Sequence, residues 1–122
     1  MHTDVVELRE FYASSLGEAA QNSVAMALSA LWEPTSGEHL LGLGYPIPWL
    51  DRFGPDAGRC LCLMPADQGA LQWPSAKSPS TALCYDDEFP LQDSSIDRII
   101  MAHFLEHAEN ANDCLSEAWR VL

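Results

Sequence analysis

The residues with the clearest chemical potential form the pentapeptide His103–His107, which reads His-Phe-Leu-Glu-His. Its H-x-x-E-H spacing is that of a class of zinc proteases. Two histidines four residues apart bind one ion when both lie on the same face of a helix. The apolar run before His103 instead predicts a strand, with His107 in the loop beyond it. Cys114 and Glu117 are the nearest further candidate ligands, and neither has a familiar spacing. We therefore predict no metal site and keep a zinc hydrolase as a third hypothesis.

Two helical patterns occupy residues 1–33, and another lies at 110–122. The second pattern has apolar residues at helical spacing that we expect to face the core, namely Leu16, Ala20, Val24, Leu28 and Leu31. The segment 33–37, Glu-Pro-Thr-Ser-Gly, ends that helix. Asn110 is a suitable cap for the last helix. The predicted inward face of this helix is Leu115, Ala118 and Trp119.

Four short apolar runs, at 40–41, 59–64, 81–85 and 96–102, have the composition of strands that are buried on both faces. A short helix is expected from about Pro48 to Asp51. Such strands, separated by helices, are typical of a parallel sheet that is covered on both sides. The sequence therefore predicts an α/β fold in a single domain, 1–122, with N-terminal helices at 1–33 and a partial α/β core at 38–122.

The composition excludes several classes of partner. Lys and Arg total 6 against 18 Asp and Glu, which gives a formal charge of −12. This charge repels phosphate backbones and anionic membrane surfaces, so we expect no direct binding to nucleic acid or membranes. The first ten residues, MHTDVVELRE, lack the basic and apolar regions of a signal peptide. The four cysteines have no C-x-x-C spacing, and we expect reduced thiols in a cytoplasmic protein.

A longer stretch accounts for the H-x-x-E-H pattern without a metal. Residues 89–122 resemble part of the class I S-adenosylmethionine-dependent methyltransferases of the type-11 group. That family runs from Leu-Pro-Phe through Asp-x-Ser-Phe-Asp, an apolar strand and His-x-Leu-Glu-His to a helix ending in Arg-Val-Leu. The matching segments, in the same order and spacing, are Phe89-Pro90-Leu91, Asp93-Ser94-Ser95-Ile96-Asp97, Ile99-Ile100, His103–His107 and Arg120-Val121-Leu122.

The resemblance implies a Rossmann-like methyltransferase fold, truncated to about four parallel strands with flanking helices. The family continues into a fifth strand beyond the position of Leu122. A strand order of 3-2-1-4 would leave the fourth strand, 96–102, at an open edge of the sheet. Because a long apolar edge strand invites pairing, we expect a homodimer, or a C-terminal segment outside this sequence, to cover it.

Ligands of open α/β sheets bind at the carboxyl ends of the strands, and the resemblance implies S-adenosylmethionine as the cofactor at that edge. The implied cofactor-binding residues are Gly42, Leu43, Gly44, Tyr45, Met64, Asp86, Asp87 and His103. The implied catalytic residue is His103, as a base that takes a proton from the methyl acceptor.

Several positions depart from the family's cofactor motifs. Gly42 stands where the family has an acid after the first strand, and Pro46 and Pro48 replace two glycines of the following loop. Proline lacks an N–H group and fixes its own φ, so this loop has fewer donors for a ligand. Met64 stands at the position of the acid that ends the second strand, and Asp67 follows three residues later.

Two functions therefore come before the zinc hydrolase. The first is an S-adenosylmethionine-dependent methyltransferase, or the cofactor-binding half of one, acting on a small-molecule or protein acceptor. The second is a non-catalytic, methyltransferase-like interaction or regulatory module with an altered cofactor loop. Methyl transfer needs little acid–base help, and its main requirement is to position the acceptor against the methyl group.

Overall fold

One parallel sheet with helices on both sides organises the protein. The computed structural model describes residues 4–66 and 80–122. In chain order, the elements of these residues are α1 (Val5–Ala13), α2 (Ser15–Leu31), β1 (His39–Gly44), α3 (Ile47–Phe53), β2 (Arg59–Pro65), β3 (Thr81–Cys84), β4 (Arg98–Ala102) and α4 (Ala111–Val121). Short 3₁₀ helices lie at Gly54–Asp56 and Leu105–His107. Asp67 lies outside the described residues.

The strands are ordered β3-β2-β1-β4, and all neighbours are parallel. Leu41 lies opposite Leu61 on one side and Ile99 on the other, which sets the register at the centre of the sheet. The predicted α/β architecture of four parallel strands is confirmed. β1 is longer than the predicted 40–41, and β4 begins at Arg98 rather than at residue 96.

The alternation of side chains along β1 divides the core into two clusters. Leu40 packs with α1 and α3 on one face of the sheet. Leu41 and Leu43 point to the other face, where α4 and Phe104 cover them. All three leucines are almost fully buried, as expected for a central strand of a sheet with two covered faces.

The N-terminal helices meet at a tight corner. Asp4 and Glu7 form a capping box at the start of α1, and the Ser14 hydroxyl oxygen accepts a hydrogen bond from the Gly17 N–H at the start of α2. A Cβ atom on Gly17 would lie 1.9 Å from the Phe11 carbonyl oxygen. Only glycine therefore allows α2 to turn back so closely on α1.

Two predicted core faces were wrong in part, although Leu28 of the predicted α2 face does pack against the core. On α2, Leu16 and Leu31 are 71% and 81% exposed, and the buried residues are Gly17 and Ala25. On α4, Trp119 is 81% exposed, and Leu115 is also exposed, whereas the prediction for Ala118 is confirmed. On α4 the physical reason is the position of β4, whose Ile99 and Met101 lie beside Leu115 and Trp119. β4 forms one edge of the sheet and pairs only with β1 among the described strands, so the sheet extends no further beneath this helix face.

The four cysteines are free thiols. Three of them are buried, and burial raises the pKa of Cys62 and of Cys84 to about 12. These thiols are therefore protonated and unreactive at neutral pH. Across 4–66 and 80–122, no helix combines the length and apolar character needed to span a membrane.

Arg120 and Glu117 of α4 hold the segment that follows β3. The Arg120 guanidinium donates to the Glu117 carboxylate at 2.6 Å and to the Phe89 and Leu91 carbonyl oxygens at 3.0 and 2.8 Å. The Glu117 carboxylate also accepts a hydrogen bond from the Phe89 N–H at 2.6 Å. The hydrogen bond from Arg120 holds the pKa of Glu117 below its ordinary value. The Glu117 carboxylate therefore stabilises the fold most when it is ionised.

Replacing Glu117 with glutamine should make stability less dependent on pH in the acid range. Because the folded-state pKa is depressed, the carboxylate contributes stability above its ordinary value of about 4.5 and loses it as pH falls through the lower, folded-state value. The urea midpoint measured from pH 6 down to pH 3 should fall less steeply in Glu117→Gln than in the parent. The exposed Glu88 supplies the control, Glu88→Gln, which should retain the parent's slope. Equal slopes in the parent and Glu117→Gln would contradict this assignment.

Candidate functional site

The carboxyl ends of β1 and β4 are joined by a close backbone contact. The Tyr45 N–H donates a 2.7 Å hydrogen bond to the Ala102 carbonyl oxygen. Gly44, just before it, has φ +87°, and a Cβ atom there would lie 2.1 Å from that same oxygen. The left-handed backbone and the lack of space both require glycine at this position. Gly44 thus brings the loop after β1 directly against the start of the loop after β4.

His103 lies at this junction, where β4 ends. Its φ is +54°, in the left-handed region that is uncommon for residues other than glycine. The Nε2 atom lies 2.6 Å from the Tyr12 hydroxyl, and the Nδ1 atom lies 3.7 Å from the nearer carboxylate oxygen of Glu106. The prediction that His103 follows a strand directly is confirmed.

The H-x-x-E-H segment does not form the helix that a shared zinc ion requires. His103 precedes the 3₁₀ helix Leu105–His107, and Phe104 between them is buried in the core beside Phe89. Within the part of the chain that the structure describes, no three His, Cys, Asp or Glu side chains are grouped so that they could hold a metal ion. The pattern therefore marks the turn from a strand into a loop.

The Tyr12 ring, which contacts His103, packs against two further aromatic rings. The Tyr12 ring stacks on Tyr45 at 5.8 Å between centroids and meets Trp49 edge-on at 5.5 Å. Burial raises the pKa of Tyr12, and the Glu106 carboxylate raises it further. Burial also raises the pKa of Tyr45. Both phenols are therefore protonated at neutral pH and can donate hydrogen bonds.

A cavity of about 460 Å³ opens at the same edge of the sheet, beyond β2 and β3. Its lining comprises Pro65, Ala66, Cys84, Tyr85, Asp86, Asp87, His107 and Glu109. The Asp86 carboxylate accepts a long hydrogen bond, 3.3 Å, from the Glu109 N–H, which ties the loop after β3 to the loop after β4. The carboxylates of Asp86, Asp87 and Glu109 make this cavity acidic. It is therefore suited to ligands that carry hydroxyl or amino donors.

Three of the predicted site residues lie in the interior of the protein, and the side chain of a fourth, Tyr45, is also buried. Leu43 and Met64 are essentially fully buried, one on each face of the sheet. Gly42 lies in the middle of the sheet under α3, and a Cβ atom there would be only 2.5 Å from Pro46 and 2.6 Å from Leu50. Pro46 and Leu50 therefore occupy the space that an acidic side chain at position 42 would need.

The predicted residues thus fall into three groups. Gly44, His103 and the backbone of Tyr45 meet at the junction of β1 and β4. Asp86 and Asp87 line the cavity, and Gly42, Leu43 and Met64 are interior.

Sequence reasoning missed three residues at this edge. It assigned no role in the site to Tyr12, and no binding role to His107 or Glu109. An aromatic residue with a hydroxyl group, one position after Phe11 on an amphipathic helix, was the only available signal for Tyr12. His107 carried a stronger signal, because it lies in the loop that follows a strand at the binding edge.

Comparison with known proteins agrees with the architecture. Residues 41–122 match the family model described as "Methyltransferase domain". Among solved structures, the chain is similar to a SAM dependent methyltransferase from Aquifex aeolicus, with 16% sequence identity and a TM-score of 0.56. That alignment covers 80% of this chain and 57% of the solved one, so this chain spans little more than half of that protein's length. No curated protein matches the chain. By the extent of the family match, the chain belongs to the methyltransferase domain family, in the type-11 group that residues 89–122 resemble.

Proposed function

We propose that this chain binds S-adenosylmethionine at the carboxyl edge of its sheet and serves as a methyltransferase, or as the cofactor-binding half of one. The observation that carries this proposal is the acidic cavity beyond β2 and β3, at the edge where ligands of open α/β sheets bind. Family membership and the methyltransferase-like fold support the same assignment.

In this proposal the cavity takes the nucleoside part of the cofactor. Asp86 and Asp87 are acceptors for the ribose hydroxyl and adenine amino groups, which are hydrogen-bond donors. Pro65, Ala66 and Cys84 supply the less polar wall against which a base can lie. His107 and Glu109 close the side towards the loop after β4.

The methionine part would lie towards Gly44 and His103. When bound, S-adenosylmethionine supplies a methyl group that is activated on a sulfonium. The residues of this chain then have to orient the acceptor, exclude water and receive a proton where the acceptor releases one. His103 is the candidate for the proton, and its Nε2 atom is engaged by Tyr12.

Two observations favour a non-catalytic module as the second candidate. The Tyr45 N–H is used by the Ala102 carbonyl oxygen, and Pro46 and Pro48 have no N–H to offer. In addition, Met64, at the position of the acid that ends β2 in the family, is buried. The described loop after β1 therefore presents few backbone donors to the methionine group.

Calorimetry and thermal unfolding with S-adenosylmethionine and S-adenosylhomocysteine test the proposal. A ligand at 100 times its Kd should stabilise the chain by about 2.7 kcal/mol. Asp86→Asn should weaken binding about tenfold, or by about 1.4 kcal/mol, because a charged acceptor is lost. The control is Asp56→Asn, which should leave the affinity unchanged. Asp56 lies in the 3₁₀ helix before β2, at the amino ends of the strands and away from the cavity. Absence of binding at millimolar ligand would remove the methyltransferase and leave the non-catalytic module.

A further inference from the structure

The N-terminal helix reaches the candidate site through one side chain. Tyr12 of α1 contacts His103, which is 91 positions later in the chain, with 2.6 Å between the hydroxyl oxygen and Nε2. The two rings also meet edge-on, with 5.7 Å between their centroids. Nothing in the pattern of α1 requires this contact, because Val5 and Leu8 already bury the helix against the core.

The packing around Tyr12 sets the direction of its hydroxyl group. Tyr45 stacks on one face of the ring at an interplanar angle of 13°, and Trp49 meets it at 80°. Trp49 is itself anchored by a hydrogen bond of 3.2 Å from its Nε1–H to the Gln21 carbonyl oxygen of α2. A phenol held between two buried aromatic residues has little rotational freedom, so its hydroxyl group points at His103 persistently.

The groups on either side of the imidazole, a carboxylate and a neutral phenol, indicate which nitrogen carries the proton. The Glu106 carboxylate, 3.7 Å from Nδ1, favours a proton on that atom. Nε2 then has a lone pair that accepts the Tyr12 O–H, and the phenol remains protonated at neutral pH. Tyr12 and Glu106 thus favour the same tautomer from opposite sides of the ring.

We propose that Tyr12 is a positioning residue that holds His103 in its Nδ1–H tautomer and directs Nε2 towards α1. Its part in methyl transfer rests on the proposed function. An acceptor that uses Nε2 must either displace the Tyr12 hydroxyl or hydrogen-bond to it. α1 therefore contributes to the candidate site, and through Tyr12 it determines whether Nε2 of His103 accepts or donates a hydrogen bond.

The left-handed backbone of His103 is consistent with this role. The contact between Tyr45 and Ala102 and the close approach of Gly44 fix the backbone on either side of His103. Strained residues that the surrounding structure holds in place are concentrated at functional sites. At this position the strain and the Tyr12 hydrogen bond together determine where the imidazole points.

Nitrogen NMR spectra of the histidine rings test the proposal directly. The whole chain, labelled with ¹⁵N at histidine and without ligand, should show His103 with an unprotonated Nε2 and a protonated Nδ1. Its signals are assigned from their loss in His103→Gln. Tyr12→Phe keeps the ring but removes the donor, so the two nitrogen shifts should move towards the average of the two tautomers. The control is Tyr85→Phe, which removes a hydroxyl group from a residue that is 70% exposed, and it should leave the His103 signals unchanged.

Two results would overturn the assignment of Tyr12. One is an Nε2–H tautomer in the parent, and the other is an identical His103 spectrum in Tyr12→Phe. Glu106→Gln provides a second variant that leaves α1 intact, and it should shift His103 towards tautomer averaging, to a smaller extent.

S-adenosylhomocysteine separates this proposal from the proposed function. Binding by calorimetry together with a Tyr12-dependent tautomer supports both. A Tyr12-dependent tautomer without binding supports the positioning of His103 and overturns its role in methyl transfer. Binding without any effect of Tyr12→Phe on His103 overturns the assignment of Tyr12 alone.

Discussion

Replacing Gly44 with alanine should destabilise the protein by about 2–5 kcal/mol, which is a large part of the stability of a small domain. A non-glycine residue in the left-handed region costs about 1–2 kcal/mol, and φ here is +87°. The new Cβ atom would also lie 2.1 Å from the Ala102 carbonyl oxygen and 3.1 Å from the backbone of His103. Because these neighbours are backbone atoms, β1 and β4 would have to separate at their carboxyl ends.

Gly37→Ala is the matched control for this experiment. Gly37 also has a positive φ, +74°, but a Cβ atom there has nothing within 4 Å. The loss of stability in Gly37→Ala should therefore be limited to the conformational cost of about 1–2 kcal/mol. Urea unfolding of both variants and the parent, with similar m-values, gives the comparison. Equal losses of stability in the two variants would show that the close approach of Gly44 to Ala102 adds nothing to the cost of the substitution.

Phe104→Ala should cost about 3–5 kcal/mol of stability, the usual range for truncating a buried phenylalanine. Phe104 is 1% exposed, and its ring meets Phe89 edge-on at 6.2 Å. It packs in the cluster of Leu41 and Leu43, beneath the loop that carries His103. Its loss would open a cavity that this loop, tied to β1 and α1, cannot easily fill.

Two comparisons make the Phe104 experiment specific. Phe104→Leu fills most of the space and should lose only about 1–2 kcal/mol. Trp119→Ala removes a larger side chain that is 81% exposed, and it should change stability by no more than about 0.5 kcal/mol. Urea unfolding of the parent and the three variants at neutral pH measures these losses of stability. A Trp119→Ala loss as large as that of Phe104→Ala would contradict the two-face description of the core.

The Gly44 and Phe104 experiments also bear on the origin of the H-x-x-E-H pattern. Within that segment, Phe104 is a core residue, Glu106 is exposed, and His103 faces Tyr12 at the edge of the sheet. The segment holds different residues on different sides because it turns out of a strand. Its spacing reflects the packing of a strand-to-loop junction, which is also where the resemblance to type-11 methyltransferases places it.

The amino-acid sequence by itself determined the strands, their parallel order and the family. Apolar runs such as 59–64 and 96–102 have the composition of strands that are buried on both faces, and helices between such strands favour parallel neighbours. The predicted burial was wrong for β3, whose Ala82 and Leu83 are exposed because β3 is an edge strand among the described strands. The spacing of residues 89–122 carried the resemblance that the family match confirmed. These features are local, so a pattern of residue types is sufficient to predict them.

Only the tertiary structure decided which helix faces are buried and which residues share a site. Leu31 and Trp119 have the spacing of core residues, but both are 81% exposed. Trp119 lies beside the edge strand β4, where the sheet extends no further beneath α4. Tyr12 meets His103 because a tight corner at Gly17 and the packing of Tyr12 against Tyr45 and Trp49 direct α1 towards the end of β4. Pro46 and Leu50 fill the space above Gly42 for the same kind of reason. Periodicity specifies the side of an element on which a residue lies, whereas contacts between distant elements depend on how the whole chain packs.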